Sequence, residues 1–150
     1  MTHDNEESPQ SSQESSKIAA ARRYERLAYD NLKNNNLKEA ENNFLKAWKQ
    51  IEKTADEPVK AFLLGNLGNL YFKKKEWELA REHYQKALTK MEALKNDQGI
   101  ESTLGNLGNV FLYKGEYGAA KDHYEKALEI TKKTNNQKNQ AMYFENLGQV

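Results

Sequence analysis

Residues 64–72 read LGNLGNLYF, and residues 104–112 read LGNLGNVFL. A second pair of segments has the same spacing, AREHYQKAL at 80–88 and AKDHYEKAL at 120–128. The members of each pair lie 40 residues apart, and self-similarity at a fixed period is the sequence signature of a repeat architecture. The sequence therefore predicts a chain built from stacked copies of one small unit.

The same period extends in both directions along the chain. Gly148, within ENLGQV at 145–150, lies 40 residues after Gly108, and Phe44 lies 40 residues before Tyr84. We therefore assign three full units, at about 17–56, 57–96 and 97–136, and a partial fourth unit at 137–150. Residues 1–16 have no large apolar residue after Met1, which predicts a disordered polar tail.

Each unit is predicted to form two helices. In the second unit, apolar and small residues recur at the i, i+3, i+4 and i+7 spacing of one helix face, at Leu64, Leu67, Gly68 and Tyr71. One such helix pair is too small to fold alone, whereas stacked pairs bury a continuous core. The predicted fold class is therefore all-α, an α-solenoid of antiparallel helix pairs.

Residues at the ends of the predicted helices support this division. Asp56 is suited to be an N-cap, and either Asn96 or Asp97 and either Asn135 or Asn136 are suited to the same role in later units. Positions 35, 75 and 115 share one slot in the middle of each unit. Asparagine or glycine in that slot suits a left-handed helix end.

Composition excludes several classes of function. The 150 residues include 23 basic and 22 acidic side chains, so the net charge of +1 provides no general attraction to nucleic acid or to a membrane surface. The absence of cysteine excludes disulfides and thiolate metal sites. No apolar run approaches the roughly 18 residues of a membrane span, and the N-terminus is polar. We expect a cytoplasmic protein.

The pattern Leu67-Gly68-x-x-Tyr71 followed by Ala80-x-x-x-Tyr84-x-x-Ala87 resembles the tetratricopeptide repeat (TPR) family. The third unit carries the same pattern at Leu107, Gly108, Phe111, Ala120, Tyr124 and Ala127. The first unit departs from it, because Ala28 replaces the glycine and Asn31 replaces the aromatic residue. The 40-residue period is similar to the long-helix variant in Pins-type scaffolds, kinesin light chains and bacterial repeat proteins. The resemblance implies a TPR superhelix.

One face of the first helix in each unit lies opposite the packing stripe, about 140–200° from Leu64. The resemblance implies that this face is the concave groove, and carboxamides there could pair with the backbone of an extended peptide. The predicted peptide-binding residues are Phe62, Asn66, Asn69, Lys73, Ser102, Asn106, Asn109, Tyr113, Met142, Asn146 and Gln149. An alternative is that duplication copied these asparagines as surface residues without a binding role.

A groove that clamps a terminal carboxylate through lysines does not fit this sequence. Gly65, Gly105 and Met142 occupy slots where such a clamp needs charge. Arg22, Arg26 and Lys33 flank the first unit's end of the groove, so an acidic ligand residue and simple solvated charge both remain open.

No catalytic residues, metal site or cofactor are predicted. His83 and His123 share one repeat position, yet no carboxylate recurs with them at i, i+4. LGNLGN lies within a helix and not after a strand, so it is not a phosphate loop. Short basic clusters such as Lys73-Lys74-Lys75 lack interleaved aromatic residues, and we expect no nucleic-acid partner.

Two functional hypotheses remain. The first is a scaffold or adaptor whose groove binds an extended or helical segment of a partner protein. The alternative is a structural solenoid that self-associates through an uncapped C-terminal edge containing Tyr143, Phe144, Leu147 and Val150. The same uncapped edge is expected if the sequence is a fragment of a longer repeat array, and we favour that explanation.

Overall fold

The computed structural model describes residues 9–150, which form an array of helices in two layers. The helices are α1 Pro9–Lys33, α2 Leu37–Ile51, α3 Glu57–Lys73, α4 Trp77–Ala93, α5 Asp97–Tyr113, α6 Tyr117–Thr134 and α7 Gln137–Leu147. Helix accounts for 85% of the described residues, and no strand occurs among them. The predicted all-α solenoid is confirmed.

The first helix begins earlier than the sequence predicted. Residues 9–16, which we assigned to a disordered tail, form the first turns of α1, and residues 1–8 of that predicted tail lie outside the described residues. Pro9 is the first residue of α1 that the structure describes. Glu14 also accepts a hydrogen bond from the backbone N–H of Ala55. A polar segment can thus extend a helix that its downstream part has already nucleated.

The breaks between and within helix pairs follow the residue types at those positions. Asn35, Lys75 and Gly115 have φ values of 59°, 62° and 76°, which confirms the left-handed slot. The side chain of Asp56 caps α3 by accepting the backbone N–H of Val59 at 3.0 Å. The caps of α5 and α7 are Asn96 and Asn136, which decides between the alternatives left open by the sequence.

Glycine allows the two helices of a unit to approach closely. A Cβ atom added at Gly68 would lie 2.5 Å from both Cδ1 and Cε1 of Tyr84, and one added at Gly108 would meet Tyr124 in the same way. Leu64, Leu67 and Tyr71 are buried on the same stripe, as predicted. The first unit packs differently, because Leu27 is 43% exposed where Leu67 is 2% exposed.

One buried carboxylate joins the third unit to α7. Glu101 is 1% exposed, at a repeat position where Ala61 and Ala141 stand in the neighbouring units. Its Oε1 accepts hydrogen bonds from Asn139 Nδ2 at 2.6 Å and from the hydroxyl of Tyr143 at 3.3 Å. The hydroxyl of Tyr143 lies over Gly105, where an added Cβ would be 2.5 Å from it. Glu101 and Gly105 therefore position α7.

The first helices of successive units form the inner side of the array. α1 contacts α3 and α3 contacts α5, whereas no comparable contact joins α2 to α4 or α4 to α6 within residues 9–150. The layer in which successive helices lie closer together is the shorter side of a curve. The face formed by α1, α3, α5 and α7 is therefore concave. Across the described chain, no helix is both long and apolar enough to span a membrane.

Candidate functional site

The predicted groove residues lie on the inner layer of helices. Those of the second, third and fourth units belong to α3, α5 and α7, except that Gln149 follows the last turn of α7. None of their side chains is fully buried. Phe62 and Met142 are 53% and 42% exposed, and Ser102 is exposed near them at the N-terminal half of its helix.

Hydrogen bonds join four of the predicted asparagines across the boundaries between units. Asn106 Nδ2 donates to Asn69 Oδ1 at 3.3 Å, and Asn146 Nδ2 donates to Asn109 Oδ1 at 3.4 Å. The two bonds are equivalent, one repeat apart. We call Asn66, Asn69, Asn106, Asn109 and Asn146 the amide ladder.

Tyrosines from the second helices, α4 and α6, donate hydrogen bonds to the amide ladder. The hydroxyl of Tyr84 donates to Asn69 Oδ1 at 2.7 Å, and the hydroxyl of Tyr124 donates to Asn109 Oδ1 at 2.7 Å. Burial raises the pKa of Tyr124 to about 12 and also raises the pKa of Tyr84. Both phenols therefore remain protonated donors at neutral pH, and they fix the orientation of the two amides.

The first unit completes the ladder with different residue types. The hydroxyl of Tyr29 donates to Asn66 Oδ1 at 2.5 Å, and Asn66 Nδ2 donates to Glu25. Burial raises the pKa of Glu25, and the hydrogen bond from Asn66 and the nearby charge of Arg22 act in the opposite direction. Glu25 and Tyr29 were not among the groove residues predicted from the sequence. The period places Tyr29 in the slot of Asn69, which is the signal that could have found it.

In each of the two asparagine pairs, Asn69 with Asn106 and Asn109 with Asn146, one Nδ2 group and one Oδ1 atom have no bonded partner among residues 9–150. Asn69 and Asn109 use their oxygens internally and keep their Nδ2 groups, whereas Asn106 and Asn146 keep their oxygens. A cavity of about 130 Å³ adjoins this face, lined by Asn69, Phe72, Tyr84, Asn106 and Asn109. A donor beside an acceptor matches the N–H and C=O of a peptide backbone.

Two predicted groove residues lie at the C-terminal ends of their helices. Lys73 Nζ donates to the backbone carbonyl oxygen of Leu32 at 2.9 Å, which ties α3 to α1. Tyr113 is 65% exposed and stacks on Trp77, with ring centroids 5.4 Å apart and an interplanar angle of 18°. Phe72 meets both rings edge-on. Trp77 was not among the predicted groove residues, because it begins the second helix of its unit, whereas the prediction covered only the first helices.

The two histidines at one repeat position have equivalent surroundings. The ring of His83 packs on Tyr71 at 5.0 Å, and the ring of His123 packs on Phe111 at 4.9 Å. Their Nδ1 atoms lie within hydrogen-bond distance of the carbonyl oxygens of Leu79 and Ala119. In the described part of the chain, no three His, Cys, Asp or Glu side chains come together as a potential metal site.

Comparison with known proteins adds a family match and several solved structures. The tetratricopeptide repeat family model matches twice, over residues 17–93 and over residues 59–133. Among curated proteins, none has a sequence that matches this chain.

Three solved structures are similar to the fold. Aspartyl phosphate phosphatase F from Bacillus subtilis has a TM-score of 0.75 at 19% identity, over 79% of this chain and 31% of that one. BtubC from P. vanneervenii has a TM-score of 0.71 at 19% identity, over 95% and 65% of the two chains. The N-terminal domain of stress-induced protein-1 from C. elegans has a TM-score of 0.65 at 18% identity, over 80% and 95%. The chain thus spans less than two thirds of the first two structures.

Proposed function

The chain belongs to the tetratricopeptide repeat family, a family of protein–protein interaction scaffolds, and we propose that it binds a segment of a partner protein in its concave groove. The observation that carries this proposal is the amide ladder, which presents alternating donors and acceptors along one face. An extended segment offers the complementary backbone groups whatever its side chains.

The dimensions of the groove set the length of the bound segment. Four helices, α1, α3, α5 and α7, line the groove, and helices that pack directly lie about 10 Å apart. An extended peptide advances about 3.3 Å per residue, so roughly nine residues cross the roughly 30 Å between α1 and α7. The 130 Å³ cavity beside Asn69 and Asn106 would take one small side chain of that segment.

Asparagine recurs in the groove for a structural reason as well. Asn69 and Asn109 bind tyrosines of their own units and amides of the following units. Substituting them would therefore disturb packing and binding together. Asn106 and Asn146 make one internal bond each, at 3.3 and 3.4 Å, and present their oxygens outward, so they separate the two roles.

The test uses Asn106→Ala combined with Asn146→Ala. The probe is a bead library of N-acetylated random peptides of about nine residues, anchored through the C-terminus so that no free carboxylate is present. The dissociation constant of a selected peptide is then measured by fluorescence anisotropy. Loss of two amide contacts of about 0.5–1.5 kcal/mol each weakens binding by roughly 5- to 150-fold.

The matched control removes two amides from the outer layer. Asn42→Ala combined with Asn43→Ala changes α2, where Asn43 Nδ2 bonds only the carbonyl oxygen of Glu39. This control is expected to bind the selected peptide as the unmodified protein does. Unchanged binding by the Asn106 and Asn146 variant would contradict the proposal.

A second candidate function is self-association through the apolar edge at α7, where Tyr143 was wrongly predicted to be uncovered, because its ring packs over Gly105 and is 1% exposed. Phe144 is 56% exposed, whereas Leu64 and Leu104 at the same repeat position are 4% and 7% exposed. The edge could pair with a second copy of the chain. Light scattering over a concentration series tests this alternative, which requires a mass that rises with concentration and falls back with Phe144→Ser.

A further inference from the structure

The α1 end of the groove has a different chemistry from the amide ladder. Arg22, Arg26 and Lys33 occupy the slots that Phe62, Asn66 and Lys73 occupy in the second unit. We propose that these three cations form an anion-binding subsite that selects partner segments with acidic side chains. The proposal rests on the proposed function and names the class of peptide that the groove takes.

None of the three cations forms an ion pair among residues 9–150, although the charge of Arg22 acts on the nearby carboxylate of Glu25 and lowers its pKa against the effect of burial. Ion pairs within 4 Å join residues of α2 to α6 and their loops, but none involves Arg22, Arg26 or Lys33 within residues 9–150. A guanidinium presents a planar fork of donors that matches a carboxylate, so two unpaired arginines on one helix face are suited to bind one or two such groups.

Carboxylates near the subsite are largely committed to the fold. Glu25 accepts the amide of Asn66, and the side chain of Asp56 caps α3 at Val59. Asp30 borders the same cavity as Arg26 and Lys33, but it makes no ion pair with either. Since none of these carboxylates forms an ion pair with Arg22 or Arg26, both guanidinium groups can bind an anion from a partner.

The shape of the surface fits a bound side chain. Two adjoining open cavities, of about 510 and 600 Å³, share Arg22 and Arg26 in their linings. The larger one also includes Arg23 and Ile18, and the smaller one includes Tyr29. Because the hydroxyl of Tyr29 binds Asn66, the cationic surface continues directly into the amide ladder. One extended segment can thus contact both.

A peptide fits this subsite better than a nucleic acid does. The net charge of the whole chain is +1, and the cations are confined to one helix at one end of the groove. The amide ladder beyond Tyr29 consists of neutral carboxamides, so it would not neutralise the phosphates along a nucleic-acid strand. The anion is therefore expected on a short acidic stretch at one end of the bound segment.

The test compares peptide selection by three proteins on the same bead library. The unmodified protein is expected to enrich Asp and Glu among selected peptides. The variant Arg22→Gln with Arg26→Gln is expected to lose that enrichment while it still selects peptides. A control, Arg81→Gln with Lys121→Gln, removes the same charge from ion-paired residues on the outer helices and is expected to keep the enrichment.

Affinity measurements make the test quantitative. A selected acidic peptide and its Asn/Gln counterpart are titrated at low and high salt by fluorescence anisotropy. Two charge-assisted contacts at a solvent-accessible site predict about tenfold tighter binding of the acidic peptide, a difference that salt reduces. A phosphoserine version of the peptide is expected to depend on Arg22 and Arg26 in the same way, since it presents the same kind of anion.

The outcomes distinguish this inference from the proposed function. If the Arg22 and Arg26 variant keeps the acidic enrichment, or the outer-helix control loses it, the subsite is refuted while groove binding stands. If the Asn106 and Asn146 variant binds normally, the groove proposal fails on its own. Arginine-dependent binding of a capped oligouridylate at the affinity of the acidic peptide would overturn peptide selectivity.

Discussion

Two glycines in α3, three residues apart, are expected to respond in opposite directions to the same substitution. A Cβ at Gly68 would lie 2.5 Å from the ring of Tyr84, whereas a Cβ at Gly65 would have no neighbour within 4 Å. Both substitutions gain about 0.5–1 kcal/mol of helix propensity when glycine becomes alanine. Only Gly68→Ala also forces the ring to move.

The cost at Gly68 has two parts. Overpacking a close contact costs about 1–3 kcal/mol, and a displaced Tyr84 loses its hydrogen bond to Asn69, worth about 0.5–1.5 kcal/mol. After the propensity gain is subtracted, Gly68→Ala is expected to lower the free energy of unfolding by roughly 1–3 kcal/mol. Gly65→Ala is expected to raise it by about 0.5–1 kcal/mol.

Urea and thermal unfolding followed by circular dichroism at 222 nm measure both changes. For a chain of this size, 1 kcal/mol corresponds to about 2–4 °C in the unfolding midpoint, so the two variants should differ by several degrees. A Gly68→Ala protein as stable as the unmodified protein would refute the close-packing argument. A destabilised Gly65→Ala protein would refute the open space assigned to that position.

Three further predictions concern residues outside the groove. Glu101→Ala should lower stability by about 1–3 kcal/mol and speed hydrogen exchange in α7, because the amide of Asn139 loses its acceptor, whereas the hydroxyl of Tyr143 keeps the backbone carbonyl oxygen of residue 101. Glu101→Gln should retain most of the stability and of the protection, and equal effects of the two substitutions would contradict the assigned bonds. Lys75→Gly should raise the unfolding free energy by about 1 kcal/mol by relieving a φ of 62°, with Gly115→Lys as the reverse change. Burial raises the pKa of Tyr71 and Tyr124 to about 12, so the stability that the protonated phenols contribute is complete below pH 10 and is lost as the pH rises towards 12. Absorbance at 295 nm should show these two phenols ionising only together with unfolding. Ionisation near pH 10 in the folded protein would contradict this prediction.

The fold could be predicted from the sequence because the close-packing, aromatic and helix-ending residues all recur with the same 40-residue period. The glycine at 68 and 108, the tyrosine at 84 and 124, and the left-handed slot at 75 and 115 recur at one spacing. Such redundancy fixes helix boundaries to within a few residues. The start of α1 could not be found this way, since residues 9–16 are exposed and carry no apolar pattern, and their helix depends on the rest of α1.

The candidate site was less accessible from the sequence. The period identifies which residues share a face, but it does not say how they bond to one another. Asn106 was predicted as a peptide contact, and its bond to Asn69 depends on the distance between adjacent units. Glu25 and Tyr29 were missed because the first unit replaces the groove residue types while it keeps their positions.

The bonds between Asn69 and Asn106 and between Asn109 and Asn146 cross from one unit to the next on the inner face, and at 3.3 and 3.4 Å they are at the long limit for an amide hydrogen bond. Any flattening of the array stretches these bonds first, because the inner side of an arc lengthens most when the arc opens. These two bonds therefore oppose flattening at the boundaries that they cross. A peptide that bridges Asn69 and Asn106, or Asn109 and Asn146, would add further bonds across the same boundaries, so binding in the groove is expected to favour the curved form of the array.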